Sequence, residues 1–199
     1  DNTAQVNTNT ANIATNTSNI ATNTAAIAAL SSGAWTRIVN QSQAGGSANF
    51  NVTGLTSTKK FLMFTFAGKF GGADKLRLRF GTGGSIDTGN NYSWRTVKDG
   101  SGSTGGYPQD TIEIMVINSG NTNDFFLSGF MQLNAPSDGT GTADTRTGNL
   151  YTSQNDNNPH NILTSFEWRD SGTPITDIRF YAGGGNDISG TLCIYESED

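Results

Sequence analysis

Val6-Asn7-Thr8-Asn9-Thr10, Ile13-Ala14-Thr15-Asn16-Thr17 and Ile20-Ala21-Thr22-Asn23-Thr24 are three passes of one seven-residue unit. Val6, Ile13, Ile20 and Ile27 recur every seven residues, and Asn9, Asn16 and Asn23 each follow an apolar residue by three; Asn2 keeps the same period, and Leu30 takes the Asn place in the last unit. Spacing of three and then four residues is the a/d seam of a left-handed coiled coil, here with β-branched residues at a and Asn at d. Positions 2–33 contain no charged residue, so no e/g ion pairs choose the partner. Asn and Thr are poor helix formers, and an isolated helix of this length is marginal in water. Association must supply the stability. The pattern predicts a helical stalk over residues 1–33, built as a parallel, three-stranded coiled coil with Val6, Ile13, Ile20, Ile27 and Leu30 in its core.

A polar residue at a core position sets register at some cost in stability. In a parallel trimer three Asn amides meet at the axis in every layer. Their N–H donors converge there, and a buried donor left empty costs roughly 1–3 kcal/mol. A small anion or a water on the axis would satisfy them, which makes Asn9, Asn16 and Asn23 the expected anion-binding residues of the stalk. The repeat resembles the Asn-at-d trimeric coiled coils of trimeric autotransporter adhesins and phage fibres over about residues 2 to 30. That resemblance implies chloride or a similar anion in the Asn layers.

The rest of the composition narrows the class. Of 199 residues, 34% are hydrophobic and 15% charged, both low for a globular enzyme, with Gly, Asn, Thr and Ser making up the difference. A net charge of -5 argues against a nucleic-acid binder that relies on phosphate neutralisation. The single cysteine, Cys193, excludes an internal disulfide framework and a cysteine-built zinc site. No run approaches the roughly 20 apolar residues that span a bilayer. The chain opens on Asp1 inside a repeat, and is read as part of something longer whose preceding region holds the attachment to other virion proteins.

After Ser31-Ser32-Gly33 the apolar period changes from 3.5 to 2. Strand-like runs occur at Trp35–Val39, Ala48–Val52, Lys60–Ala67, Lys75–Phe80, Tyr92–Val97, Thr111–Ile117, Phe125–Leu133, Ile162–Trp168, Ile175–Tyr181 and Thr191–Tyr195. Leu76 and Leu78 alternate with Lys75, Arg77 and Arg79, the signature of a half-buried antiparallel strand. Gly81-Thr82-Gly83-Gly84, Gly100-Ser101-Gly102 and Gly183-Gly184-Gly185-Asn186 read as turns. Many short strands with Gly-rich turns predict an all-β head over 34–199, an antiparallel β-sandwich of jelly-roll type. Strand order is not readable from the pattern.

Two stretches of the head carry a further resemblance. Leu76-Arg77-Leu78-Arg79-Phe80 followed by Gly89-Asn90-Asn91-Tyr92-Ser93, and the closing Ser189-Gly190-Thr191-Leu192-Cys193-Ile194-Tyr195, resemble segments of phage tail-fibre and other virion tip domains. The sequence departs from that pattern after Phe80, where Gly81-Thr82-Gly83 replaces Asn-x-Asp, and after Tyr195, where Glu196 replaces Gly. The resemblance implies a receptor-binding appendage on the virion surface, outside the host cell.

His160 is the only histidine; alone it builds neither a triad nor a metal site within one chain, and the alternative is three copies meeting at a threefold axis. Asp138-Gly139-Thr140-Gly141-Thr142-Ala143-Asp144 reads as a turn, with a calcium site as the alternative, because it lacks the ligand alternation of an EF-hand. Glycoside hydrolysis needs two carboxyl groups facing a sugar. Glu113, Glu167, Glu196 and Glu198 offer no spacing that singles out a pair, so no catalytic residue is expected. Tyr92, Trp94, Tyr107 and Tyr151 lie beside Asn, Gly, Ser and Thr and are the candidate receptor-binding residues, since aromatic faces stack on sugars while polar neighbours bond their hydroxyls. For Trp94, as for Trp35 and Trp168, a core or interface role is the competing reading.

These features lead to an expectation of a homotrimeric tail-fibre or tip protein of a bacteriophage that binds a host surface glycan or protein. A head fibre, collar fibre or capsid decoration without a specific ligand is the alternative, and both share one architecture. No nucleic acid, membrane insertion or resident metal is expected.

Overall fold

A computed structural model of the chain describes residues 2–31, 35–55, 61–99, 101–117, 124–132, 145–155, 160–169 and 175–197. The chain divides into two units, Asp1–Thr36 and Arg37–Ser197. The first contains one helix, α1 (Asn2–Ser31), and the second is built of antiparallel strands.

The Thr side chains of α1 all turn onto their own helix backbone where their hydrogen bonds are seen. The hydroxyls of Thr10, Thr17 and Thr24 donate to the carbonyl oxygens of Val6, Ile13 and Ile20 at 2.9, 2.9 and 2.8 Å. Those of Thr8, Thr15 and Thr22 do the same to Ala4, Ala11 and Ser18, each at 3.0 Å. Each Thr therefore spends its donor on the carbonyl four residues back in its own helix, a bond mid-helix Thr side chains can make. The Thr that follows each Asn is thereby a less polar neighbour of the seam than its side chain suggests. Val6, Ile13 and Ile20 are 54%, 66% and 66% exposed in the single chain, so the apolar stripe has no partner within it. The side chains of Ile27 and Leu30 lie outside the described residues.

The strands are β1 (Trp35–Gln43), β2 (Asn49–Val52), β3 (Phe61–Phe70), β4 (Asp74–Thr82), β5 (Ser85–Ile86), β6 (Tyr92–Lys98), β7 (Ser101–Gln109), β8 (Ile112–Ile117), β9 (Asp124–Gln132), β10 (Thr145–Asn155), β11 (His160–Arg169), β12 (Asp177–Ala182) and β13 (Ile188–Ser197). Eight form one sheet in the order β1-β13-β3-β9-β10-β11-β6-β7. The smaller sheet runs β2-β12-β4-β5, with β8 also paired to β4. Each of the ten expected runs overlaps a strand, with Ala48, Thr111, Ile175 and Thr176 just outside one and Lys60 and Leu133 outside the described residues. The corrections concern loops: Ser101-Gly102 begins β7, and Tyr107 and Tyr151, placed in loops by their polar surroundings, sit within β7 and β10.

Alternation decides what faces inward. In β3 the buried residues include Leu62, Phe64 and Phe66; in β4 they include Leu76, Leu78 and Phe80. Both sheets contribute to one hydrophobic core, an arrangement consistent with a β-sandwich. Phe66 lies at its centre, with ring centroids of Phe50, Phe125 and Phe180 at 4.7, 5.0 and 5.7 Å, all edge-to-face. Turn and loop ends are fixed by carboxylates. Asp74 accepts the backbone N–H of Lys75, Gly184 and Asn186 at 2.6, 2.6 and 3.0 Å. Burial pushes its pKa up, but these three donors together with the Asn186 side chain outweigh burial and hold it below the ordinary value.

Close strand approach has its own requirement. An added Cβ at Gly129 would collide with the Asn149 carbonyl oxygen and lie 2.8 Å from Leu150 Cα, so β9 and β10 can meet there only around a glycine. Gly129→Ala is therefore expected to cost about 1–3 kcal/mol, because backbone rather than a flexible side chain must move. A loss of unfolding free energy in urea smaller than about 0.5 kcal/mol would show that the strands can separate freely.

Candidate functional site

The outer face of the larger sheet holds an open groove of ≈ 680 Å³ across β7, β6, β11 and β10. Strand register builds its floor in two rows. Ser93 opposes Glu167, which opposes Thr147; Arg95 opposes Ser165, which opposes Asn149. Each of these side chains points outward because its strand neighbours Tyr92, Thr96, Phe166, Trp168, Gly148 and Leu150 are buried.

An ordered polar chain runs along one wall. Glu167 accepts from Ser93 Oγ at 3.0 Å and from Arg169 Nη2 at 2.7 Å. Arg169 Nη1 in turn donates to Tyr107 Oη at 2.9 Å, and the guanidinium carbon lies 4.6 Å from the Tyr107 ring centroid. Tyr107 is thus held by its hydroxyl while its side chain stays 64% exposed. Elsewhere in the groove, at exposed positions, Ser165 Oγ donates to Asn149 Oδ1 at 2.8 Å, and Arg95 Nη2 donates to Ser103 Oγ at 2.9 Å. The chemistry on offer is an oriented aromatic ring beside guanidinium, amide and hydroxyl groups. Such a surface can stack against an apolar sugar face and bond its hydroxyls.

The Arg169 hydrogen bond lowers the Glu167 pKa, burial opposes it, and the Ser93 hydroxyl lowers it further; Arg169 is raised by the same pairing. A carboxyl depressed in the folded state contributes stability that is present above its unfolded value and lost as pH falls through the folded one. An NMR titration should place the Glu167 midpoint below its ordinary value of 4.5, and Arg169→Gln should move it back up. An unchanged midpoint in Arg169→Gln would show that the pair is not formed in solution.

The four aromatic candidates separate sharply. Tyr107 lines the groove, and Tyr151, half exposed, lies on the same sheet face two residues along β10 from Asn149. Trp94 packs against the core from β6 and also lines the groove. Tyr92 is corrected outright: it is fully buried, and burial raises its phenol pKa. Its hydroxyl accepts from the Phe80 N–H at 3.0 Å and donates to the Asp87 carbonyl at 3.1 Å. Asp87 explains why the neighbouring Gly89-Asn90-Asn91 turn looked like a binding loop. Its carboxylate accepts from the Gly89 N–H, Asn91 Nδ2 and Trp168 Nε1 at 2.8, 3.0 and 2.8 Å, so those polar groups anchor the turn to the core.

Other candidates resolve as follows. Glu113 pairs with Lys75 and Arg77 at 3.1 and 3.6 Å. Among the described residues, no three His, Cys, Asp or Glu side chains gather where they could hold a metal. The candidate calcium loop 138–144 and the His160 side chain lie outside the described residues. Asn9, Asn16 and Asn23 are exposed along α1, with Asn9 Oδ1 accepting from Gln5 Nε2 at 3.1 Å.

Ser93, Arg95, Asn149, Ser165, Glu167 and Arg169 were not foreseen as site residues. One signal was available: Ser165, Glu167 and Arg169 alternate with Thr164, Phe166 and Trp168, which puts all three polar groups on one face of a strand. No helix among the described residues is long and apolar enough to cross a membrane. Compared with known proteins, the chain matches no family model, no curated protein and no solved structure.

Proposed function

We propose that this chain is a virion appendage protein, a tail fibre or tip, whose homotrimer attaches to a glycan on the host cell surface through the groove between β7 and β10. The observation that carries the reading is Tyr107, exposed yet held in place by Arg169 and Glu167 beside the Asn149–Ser165 pair. A clamped ring costs little entropy on binding, which is what a site for a weak, repeated ligand needs. The trimer rests on the seven-residue repeat and on the exposed stripe Val6, Ile13 and Ile20. We read α1 as one strand of a parallel three-stranded coiled coil, with Asn9, Asn16 and Asn23 facing chloride or a similar anion on the axis. Three heads on one stalk multiply a weak interaction through avidity. We read the head as a variant of the jelly roll, because the chain repeatedly passes from one sheet to the other, as in β1–β2–β3–β4.

The test is binding of the full chain to an array of bacterial surface polysaccharides. Saturable binding is expected, and Tyr107→Ala should weaken each head's contribution by roughly tenfold, the scale of one lost aromatic contact. Binding that survives Tyr107→Ala and Asn149→Ala together would remove the groove as the site. Absence of binding to any surface glycan would favour a structural fibre or decoration protein instead.

A further inference from the structure

The same outer sheet face that carries the polar groove becomes apolar on its far side. Val97 of β6 opposes Leu163 of β11, which opposes Tyr151 of β10. Tyr151 opposes Ser128 of β9, flanked on that strand by Phe126 and Phe130. Phe130 opposes Met63 of β3, and Phe61 follows on the same face. Val97, Leu163, Tyr151, Phe126, Phe130 and Phe61 are 50%, 45%, 49%, 49%, 57% and 38% exposed. They form one continuous band across five neighbouring strands, roughly 20 Å wide at the usual strand spacing.

We infer that this band is the surface through which the heads of three copies of the chain pack against one another. The inference rests on the homotrimer reading, and adds to it where the heads touch. Four half-exposed aromatic side chains, with Leu163 and Val97 beside them, present on the order of 500 Å² of apolar surface. That is at the upper end of what a monomer leaves in one patch, and supplies the centre of an interface needing about 800 Å² from each partner. The rim is polar: Lys69 and Asp124 face each other across β3 and β9 at one end, and Arg95 marks the other. An apolar centre inside a polar rim is the anatomy of a protein interface.

The band's chemistry selects the occupant. It carries no charge, so identical copies can bring it together without like-charge repulsion despite a net charge of -5 on each chain. Apart from the Tyr151 hydroxyl and Ser128 it has no donor or acceptor with which to read a sugar, in contrast to the groove beside it. A second copy is also the partner that the repeat in α1 already demands. Chains joined at a stalk see one another at an effective concentration near millimolar, so a weak apolar contact between heads is populated. The groove then borders the subunit interface, with Tyr151 in the band and Asn149, its near neighbour on β10, in the groove.

Carbene footprinting of the full chain, run alongside light scattering, tests this. At the mass of three chains, Phe126, Phe130 and Leu163 should label roughly fivefold less than in the Ile13→Asp/Ile20→Asp chain at micromolar concentration, as buried interface residues do, while Tyr107 labels equally in both. Equal labelling of the band in the two proteins, with the unaltered chain at the three-chain mass and the Asp variant at single-chain mass, would overturn the inference and leave the stalk reading intact. A parent chain of single-chain mass would overturn both. A second variant, Phe126→Ser with Phe130→Ser, should keep the three-chain mass but raise the radius of gyration and the labelling of Leu163. No change in either would also overturn the inference.

Discussion

Replacing Ile13 and Ile20 by Asp should leave a protein of single-chain mass, 21.0 kDa, whose helical circular-dichroism signal is lost while its β signal remains. The reasoning starts from the helix as one chain. Asn and Thr carry low helix propensity, no charge pairs support the exposed faces, and Val6, Ile13 and Ile20 lie open to solvent. Thr hydroxyls turned onto the backbone relieve crowding but add no tertiary contact. Burial of each apolar layer is worth about 1.5–3 kcal/mol per side chain, and an Asp there must be desolvated without a partner. Two such layers therefore remove more free energy than the remaining repeats supply. Retention of the helical signal at single-chain mass would mean that α1 is stable alone, contrary to its composition.

Phe66→Ala should destabilise the head by about 3–5 kcal/mol and lower its melting temperature by about 10 °C. Phe66 is fully buried and touches three rings edge-to-face, with Phe50 and Phe180 on the smaller sheet and Phe125 on the larger. It joins the two sheets, so the void it leaves is lined by residues of both and cannot close by a shift of one strand. The cost should appear in urea unfolding followed by tryptophan fluorescence, since Trp168 is buried in the same core. A loss below about 1 kcal/mol would mean that the sheets move together to refill the site.

Much of this architecture was legible because period-2 alternation is a direct image of a two-sided sheet. It worked where one face is strongly apolar, as in Leu62, Phe64 and Phe66 or Leu76, Leu78 and Phe80. Three strands were missed, each for a physical reason. β10 buries Thr152 and Gln154 beside Leu150, so its inward face does not look apolar. β7 is an edge strand, where Gly105, Gly106 and Pro108 are tolerated because one side needs no partner. β5 is a two-residue turn back onto β4. Order within the sheets was closed to pattern reading, since alternation says which way a side chain faces and nothing about its lateral neighbour.

The site was legible only in fragments for the same reason. Tyr107 could be named, but Arg169, which holds it, lies far along the chain and reaches it across the strands of one sheet. Tyr92 misled because it follows the polar turn Gly89-Asn90-Asn91, whereas its own side chain is fully buried and Asp87 ties up the Gly89 N–H and the Asn91 amide. The exposed band from Val97 to Phe61 gave no signal, because outward apolar residues in strands read like core residues until burial is known.

The most direct test of the homotrimeric reading is the solution mass of the unaltered chain, measured by multi-angle light scattering across a dilution series. Three chains in the stalk predict a constant mass near three times 21.0 kDa. A mass of one chain, or of two, would contradict it.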